Sequence, residues 1–227
     1  MALAPTLAGR LAEVDGRIVA AAREAGRDPA ALTRIAVTKG HPASLVAELA
    51  ALGVRDVGES RHQEAAPKAA ALAGLGLRWH FVGQLQSNKA RAVRGYARVV
   101  HSVDRPALVR ALAMADGATL DCFLQLDLAG APGRGGAAWE GLEPLAEQIL
   151  AAPGLRLLGV MGVAPLGEEP RPAYARLREA SQRLRALAPE AAAISAGMSG
   201  DFREAILEGA THLRIGTAIT GNRPAPG

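Results

Sequence analysis

Apolar and polar positions along this chain follow two alternating periods. Short β-branched or apolar runs predict strands near Arg34–Thr38, Arg55–Val57, Leu77–Val82, Arg98–Ser102, Leu120–Leu128, Arg156–Gly162, Ala191–Ser195 and His212–Ile215. Between them lie alanine- and leucine-rich stretches with helical spacing, at Ala43–Leu52, Arg61–Ala73, Asn88–Arg94, Pro106–Ala115, Leu142–Ala151, Ala173–Leu187 and Phe202–Glu208, after a leading helix over residues 6–25. Strand–helix alternation without a linker is the mark of a parallel α/β fold. A doubly wound open sheet also fits it, but the G-x-G-x-x-G turn expected after a first strand is missing. Eight strands are the number that closes a TIM barrel, and 227 residues leave no room for a second domain. The pattern therefore predicts a single (β/α)8 barrel over residues 1–221 with a mobile tail over 222–227. The glycine-rich segment 129–136 reads as a flexible strand-to-helix loop at the barrel mouth.

Composition narrows this picture. Nearly half the residues are apolar, enough for a continuous core without disulfides. The single cysteine, Cys122, sits in an apolar run and reads as a buried, inert thiol. The N-terminal segment is amphipathic, neither a signal h-region nor a membrane span, so a cytoplasmic, membrane-free protein is expected. A net charge of +4 could suggest nucleic acid, but bases and acids are interspersed and aromatics make up only 3%. No nucleic-acid partner is expected. Five histidines and one cysteine without zinc spacing predict no metal. Of 26 basic residues only Lys39, Lys68 and Lys89 are lysines. Where arginine serves as the general cation, a lysine at a special position suggests chemistry that arginine cannot do, such as Schiff-base formation.

In a barrel the active face lies at the C-terminal ends of the strands. Lys39 ends the first, before Gly40-His41-Pro42, with Pro42 suited to the first turn of a helix. It either snorkels into water or, if partly desolvated in the mouth, presents a neutral amine able to trap a carbonyl. The seventh strand runs into Ser195-Ala196-Gly197-Met198-Ser199-Gly200-Asp201-Phe202. Asp201 and Glu204 could form a capping box there, while the two glycines and a helix start would equally suit a phosphate. The eighth runs into Arg214-Ile215-Gly216-Thr217, and barrel phosphate sites often combine the loops after strands seven and eight. Arg214 could reach a phosphate, donate to a ring nitrogen, or form a structural ion pair. His80 lies in an alternating strand pattern and reads as a satisfied core histidine.

Taken in order, Ala36-Val37-Thr38-Lys39, Gly58-Glu59, Trp79 to Lys89, Gly197-Met198-Ser199-Gly200-Asp201 and Arg214 to Gly221 closely resemble the pyridoxal phosphate homeostasis proteins over nearly the whole chain. The resemblance implies a type III fold for pyridoxal 5′-phosphate (PLP), like the alanine racemase barrel domain without its second β domain. It implies PLP held as a covalent aldimine on Lys39, phosphate held by Ser199, Gly200, Gly216 and Thr217 with Ser195 beside them, and Arg214 near the pyridine nitrogen. An arginine there would keep the ring nitrogen unprotonated and weaken the cofactor's electron-sink character. Three positions depart from the family pattern. Ser60 and Asp127 stand where asparagines are usual, and Arg134-Gly135-Gly136 replaces a lysine-containing loop.

The expected function is a PLP carrier in vitamin B6 homeostasis, a monomer or weak dimer, with PLP as ligand and apo PLP-dependent enzymes as candidate acceptors, rather than a fast enzyme. A two-base racemase would need an acid/base opposite the lysine, and Tyr96 and Tyr174, the only tyrosines, fall in helices or their flanks. A barrel that uses Lys39 as a Schiff-base amine without PLP would carry the same lysine, and a nucleic-acid role would rest on the basic charge alone.

Overall fold

The computed structural model describes residues 5–130 and 135–222. Eight strands, β1 (Thr33–Val37), β2 (Asp56–Glu59), β3 (Arg78–Phe81), β4 (Val99–Val103), β5 (Leu120–Gln125), β6 (Leu155–Met161), β7 (Ala193–Ser195) and β8 (His212–Ile215), pair in sequence order as a closed parallel barrel. The register of β1 against β8, Ala36 opposite Ile215, seals the ring and brings the first and last strand ends side by side. The barrel, not the open sheet, is the architecture. Helices α1 (Leu7–Glu24), α2 (Ala43–Ala51), α3 (His62–Ala71), α4 (Ala90–Arg94), α5 (Pro106–Leu112), α6 (Leu142–Ala151), α7 (Pro170–Leu187), α8 (Phe202–Leu207) and α9 (Thr217–Thr220) complete the order. No helix among the described residues is long and apolar enough to cross a membrane.

The apolar residues sort into two layers. A large cluster between sheet and helices joins strand residues such as Ala36, Val57, Val100, Leu124, Val160 and Leu213 to helix residues such as Val46, Leu108, Ile149 and Leu177. A small cluster, Val99, Phe123 and Met161, fills one side of the barrel interior. The other side is polar. Burying apolar area at roughly 25 cal/mol per Å² makes the outer layer the main source of stability. Cys122 belongs to it, fully buried with its thiol pushed up to about 12 by desolvation, as an inert core residue should be.

Three element ends differ from the sequence expectation. Pro42 precedes α2 rather than standing inside it. The fifth strand stops at Gln125, not Leu128, because Asp127 bends the chain: its Oδ1 accepts from the N–H groups of Ala129 and Gly130 at 2.9 and 3.0 Å. A carboxylate is suited to that turn, which accounts for an aspartate at this position. The short helix α9 goes unforeseen, since four residues between two glycines carry no helical period. Of the expected mouth loop, residues 131–134, including Arg134, lie outside the described residues, as does the tail from 223 onward.

Candidate functional site

The end of β1 is clamped on both sides of Lys39. Thr38 is fully buried, its hydroxyl donates to Glu59 Oε1 at 2.7 Å, and its carbonyl accepts from Lys68 Nζ at 3.1 Å. Lys68 also pairs with Glu59 at 2.7 Å, with the two side chains 10% and 0% exposed. On the other side, the Gly40 N–H donates to Glu64 Oε2 at 2.8 Å, a bond that holds the Glu64 carboxyl below the usual range. The backbone of Lys39 is thus fixed while its side chain is exposed at the mouth. Of the two readings open for Lys39, the structure has the exposed one: the side chain borders a cavity of about 170 Å³ with Gly40, Ser60, Arg61 and Glu64, and Ser60 and Arg61 also line a cleft of about 590 Å³.

Across the β1–β8 seam, the turns after β7 and β8 meet. The Ser199 hydroxyl accepts from the Ala218 N–H at 3.2 Å, and the Arg214 N–H donates to the Gly197 carbonyl at 2.9 Å. Gly197 has φ +86°, and a Cβ there would lie 2.8 Å from the Phe202 backbone, so glycine is required. The capping box proposed for Asp201 does not form. Its Oδ1 accepts from the Met198 N–H at 2.6 Å and its Oδ2 from the Tyr174 hydroxyl at 2.8 Å, so the carboxylate stiffens the turn instead of closing the helix start. The backbone N–H groups of Ser199, Gly200, Gly216 and Thr217 have no acceptor among the described residues. Gly200 is exposed, with nothing within 4 Å of a Cβ built on it, and Gly216 lies 3.6 Å by the same measure from the Val37 carbonyl, two residues before Lys39. Lys39 and the two turns therefore share one rim.

Arg214 lies below this rim, 5% exposed. Its Nη1 donates to Ser195 Oγ at 2.6 Å and its Nη2 to the Gly162 carbonyl at 2.9 Å, while Nε has no acceptor in the described chain. Burial draws the guanidinium below its ordinary value, opposed by Tyr174 and Asp201; an arginine stays cationic nonetheless. Ser195, fully buried, is committed to this inner contact and to His101 Nδ1 at 2.8 Å, so it meets the rim through Arg214. His101 Nε2 in turn lies 2.9 Å from His80 Nδ1, and His80 Nε2 lies 2.9 Å from Asp56 Oδ1. His80 is the satisfied core histidine that its strand pattern predicts.

Burial lowers the pKa of His80, His101 and His212, in the last case to about 4, so all three fold in the neutral form. A depressed folded-state pKa contributes stability that is complete above the unfolded value and is lost as pH falls through the folded one. Thermal midpoints are therefore expected to be flat near pH 7–8 and to fall from about pH 6.5 through about 4. A His212→Gln variant should lose less of its midpoint over that interval, as read by melts across pH.

Two features escaped the sequence reading. Lys68 was as conspicuous as Lys39 among three lysines, but a helical lysine reads as solvated until the fold packs it on a strand end. Tyr174, placed correctly in a helix, reaches the phosphate-candidate turn through its hydroxyl. Ser60 is half-buried, and a Cβ at Gly83 would lie 2.1 Å from its carbonyl oxygen, so its backbone is tightly packed. Lys89 is half-buried in the larger cleft, some way round the rim. Among the described residues no group of histidine, cysteine, aspartate or glutamate side chains could hold a metal ion.

Comparison with known proteins extends this geometry. Residues 18–224 match the family described as alanine racemase, N-terminal domain. A protein of Pseudomonas aeruginosa named pyridoxal phosphate homeostasis protein is 44% identical over 224 residues, covering 96% of each chain. PipY of Synechococcus elongatus, solved with PLP bound, superposes with a TM-score of 0.83 at 34% identity, covering 95% of this chain and all of that one. Alanine racemase from Corynebacterium glutamicum shares the fold, with a TM-score of 0.69 at 18% identity; the match covers 94% of this chain and 61% of the racemase.

Proposed function

Because the chain belongs to the pyridoxal phosphate homeostasis proteins of the alanine racemase N-terminal domain family, we propose that it binds PLP reversibly on Lys39 and passes it to amine acceptors, among them apo PLP-dependent enzymes. The observation that carries this reading is the single rim uniting an exposed lysine on a clamped strand end with four backbone N–H groups that have no acceptor among the described residues. PLP supplies an aldehyde that condenses reversibly with a primary amine as a Schiff base. Everything else falls to the protein.

The residues present fit such a group. Ser199, Gly200, Gly216 and Thr217 offer N–H and hydroxyl donors to a phosphate dianion, and the open space at Gly200 is where a glycine has no steric reason within the chain itself. Arg214, anchored from below by Ser195 and Gly162, has Nε left to face a ring nitrogen as a donor only. The exposure of Lys39 suits exchange with an incoming amine better than a sealed catalytic chamber would. Neither tyrosine supports two-base racemisation: the Tyr174 hydroxyl is held by Asp201, and burial raises Tyr96 far above neutral pH.

The test is a spectral titration with PLP followed by addition of a free primary amine. A saturable visible band that the amine then discharges is the expected result; no band, or a band that an amine cannot discharge, would contradict the carrier reading. Ser199→Ala and Thr217→Ala should each keep the band but weaken PLP affinity by about 1–3 kcal/mol, the range for a charge-assisted hydrogen bond. Equilibrium dialysis of each variant checks it.

A further inference from the structure

Arg214 is a buried cation that forms no direct ion pair among the described residues, and a charge in that position is costly unless something compensates it. Tyr174 and Asp201 favour its charge without a hydrogen bond to it, and it also heads a continuous chain of hydrogen bonds leading away from the rim. Arg214 on β8 donates to Ser195 on β7 at 2.6 Å, Ser195 lies 2.8 Å from His101 on β4, His101 lies 2.9 Å from His80 on β3, and His80 lies 2.9 Å from Asp56 on β2. The step from β7 to β4 crosses the barrel interior, since those strands are not neighbours in the ring.

The Asp56 end dictates the direction of every bond once both imidazoles are neutral, the form that burial favours. A guanidinium can only donate, so Ser195 Oγ accepts there, and with His101 Nδ1 left as an acceptor the serine hydrogen goes to it. His101 then carries its proton on Nε2 and donates to His80 Nδ1. His80 likewise carries its proton on Nε2 and donates to Asp56, which as a carboxylate can only accept. An additional proton on His101 would reverse its bond to Ser195, and one on His80 would reverse the bond to His101; burial disfavours both. All five groups are consistent with one proton arrangement.

We propose that Asp56, His80, His101 and Ser195 form a one-directional relay across the barrel that positions Arg214 for the cofactor ring nitrogen, with Asp56 at the opposite end as its charged anchor. Polarisation along such a chain lets the Asp56 carboxylate add, without touching the buried guanidinium, to the compensation that Asp201 provides. Asp56, whose side chain is 19% exposed, is a positioning residue that meets no ligand. The proposal rests on the reading of Arg214 as the ring-nitrogen partner of PLP.

Asp56→Asn is the discriminating variant, because an amide oxygen can still accept from His80 while the charge is gone. It should bind PLP about tenfold more weakly than wild type, the scale on which groups acting through a network couple to a site. Asp56→Glu should restore part of the loss. Asp56 also contacts the exposed Arg78 at 3.4 Å, so Arg78→Gln, which removes that surface pair alone, should leave PLP affinity unchanged. Independently of any ligand, ¹⁵N spectra of the PLP-free wild type should show both His80 and His101 as neutral Nε2–H tautomers. Equal PLP affinity of Asp56→Asn and wild type, or an Nδ1–H or imidazolium form at either histidine, would overturn the relay. If the wild type itself took up no PLP, the functional reading would fail, and the tautomers of the PLP-free protein would still decide the relay.

Discussion

Replacing Lys39 by alanine is expected to abolish the visible PLP band entirely while leaving the unfolding free energy of the PLP-free protein within the small range of a surface substitution, about ±0.5 kcal/mol. Both halves follow from the geometry. The Lys39 side chain is exposed and makes no hydrogen bond or ion pair among the described residues, so the fold loses nothing with it. Yet it is the only lysine on the rim formed by the β1 end and the turns after β7 and β8. Lys68 is committed to Glu59 and Thr38, and Lys89 lies in the neighbouring cleft. Residual non-covalent binding through the phosphate donors is expected in this variant. A persisting visible band in Lys39→Ala would mean that another amine carries the chemistry.

Lys68→Met should have the opposite profile, a large loss of stability from a residue that never meets the ligand. It would leave the fully buried Glu59 carboxylate with only the Thr38 hydroxyl as partner, and Glu59 Oε2 already has none among the described residues. Removing one member of a buried ion pair typically costs about 3–5 kcal/mol, because the other charge stays buried and uncompensated. In a chain of this size that corresponds to roughly 10 °C in melting temperature. The double variant Lys68→Met with Glu59→Met should recover much of the loss, since an apolar pair of similar volume is often close to neutral. Urea titrations of the single and double variants measure it. The loss should also reach function, because Thr38 immediately precedes Lys39 and its carbonyl would lose the Lys68 anchor.

These two lysines show what the sequence could and could not reveal. Strand positions were legible because the strands are buried on both faces, under helices outside and in the barrel within, giving runs such as Ile35-Ala36-Val37. Lys39 was legible because barrel strand ends are where chemistry sits, and the glycine turns after β7 and β8 because glycine is conspicuous where the backbone must turn sharply. Lys68 was hidden by its helix: its role depends on α3 packing over the ends of β1 and β2, a relation no local window contains. The same holds for His101 and Ser195, which lie 94 residues apart and touch only because the ring closes. Asp201 misled for the converse reason. Its spacing to Glu204 satisfied a capping rule, but tertiary partners, the Met198 N–H and the Tyr174 hydroxyl, took the carboxylate first.

The departures from the family pattern become specific in the same way. Asp127 spends one carboxylate oxygen on its own turn, so it is accounted for by local structure. Ser60 lines both the small cavity beside Lys39 and the larger cleft.

The most direct test of the central claim is to saturate the protein with PLP, reduce with borohydride, digest, and map the labelled peptide. The account predicts one dominant pyridoxyl label, on Lys39. Label spread over Lys39, Lys68 and Lys89, or concentrated on Lys89 in the neighbouring cleft, would contradict it.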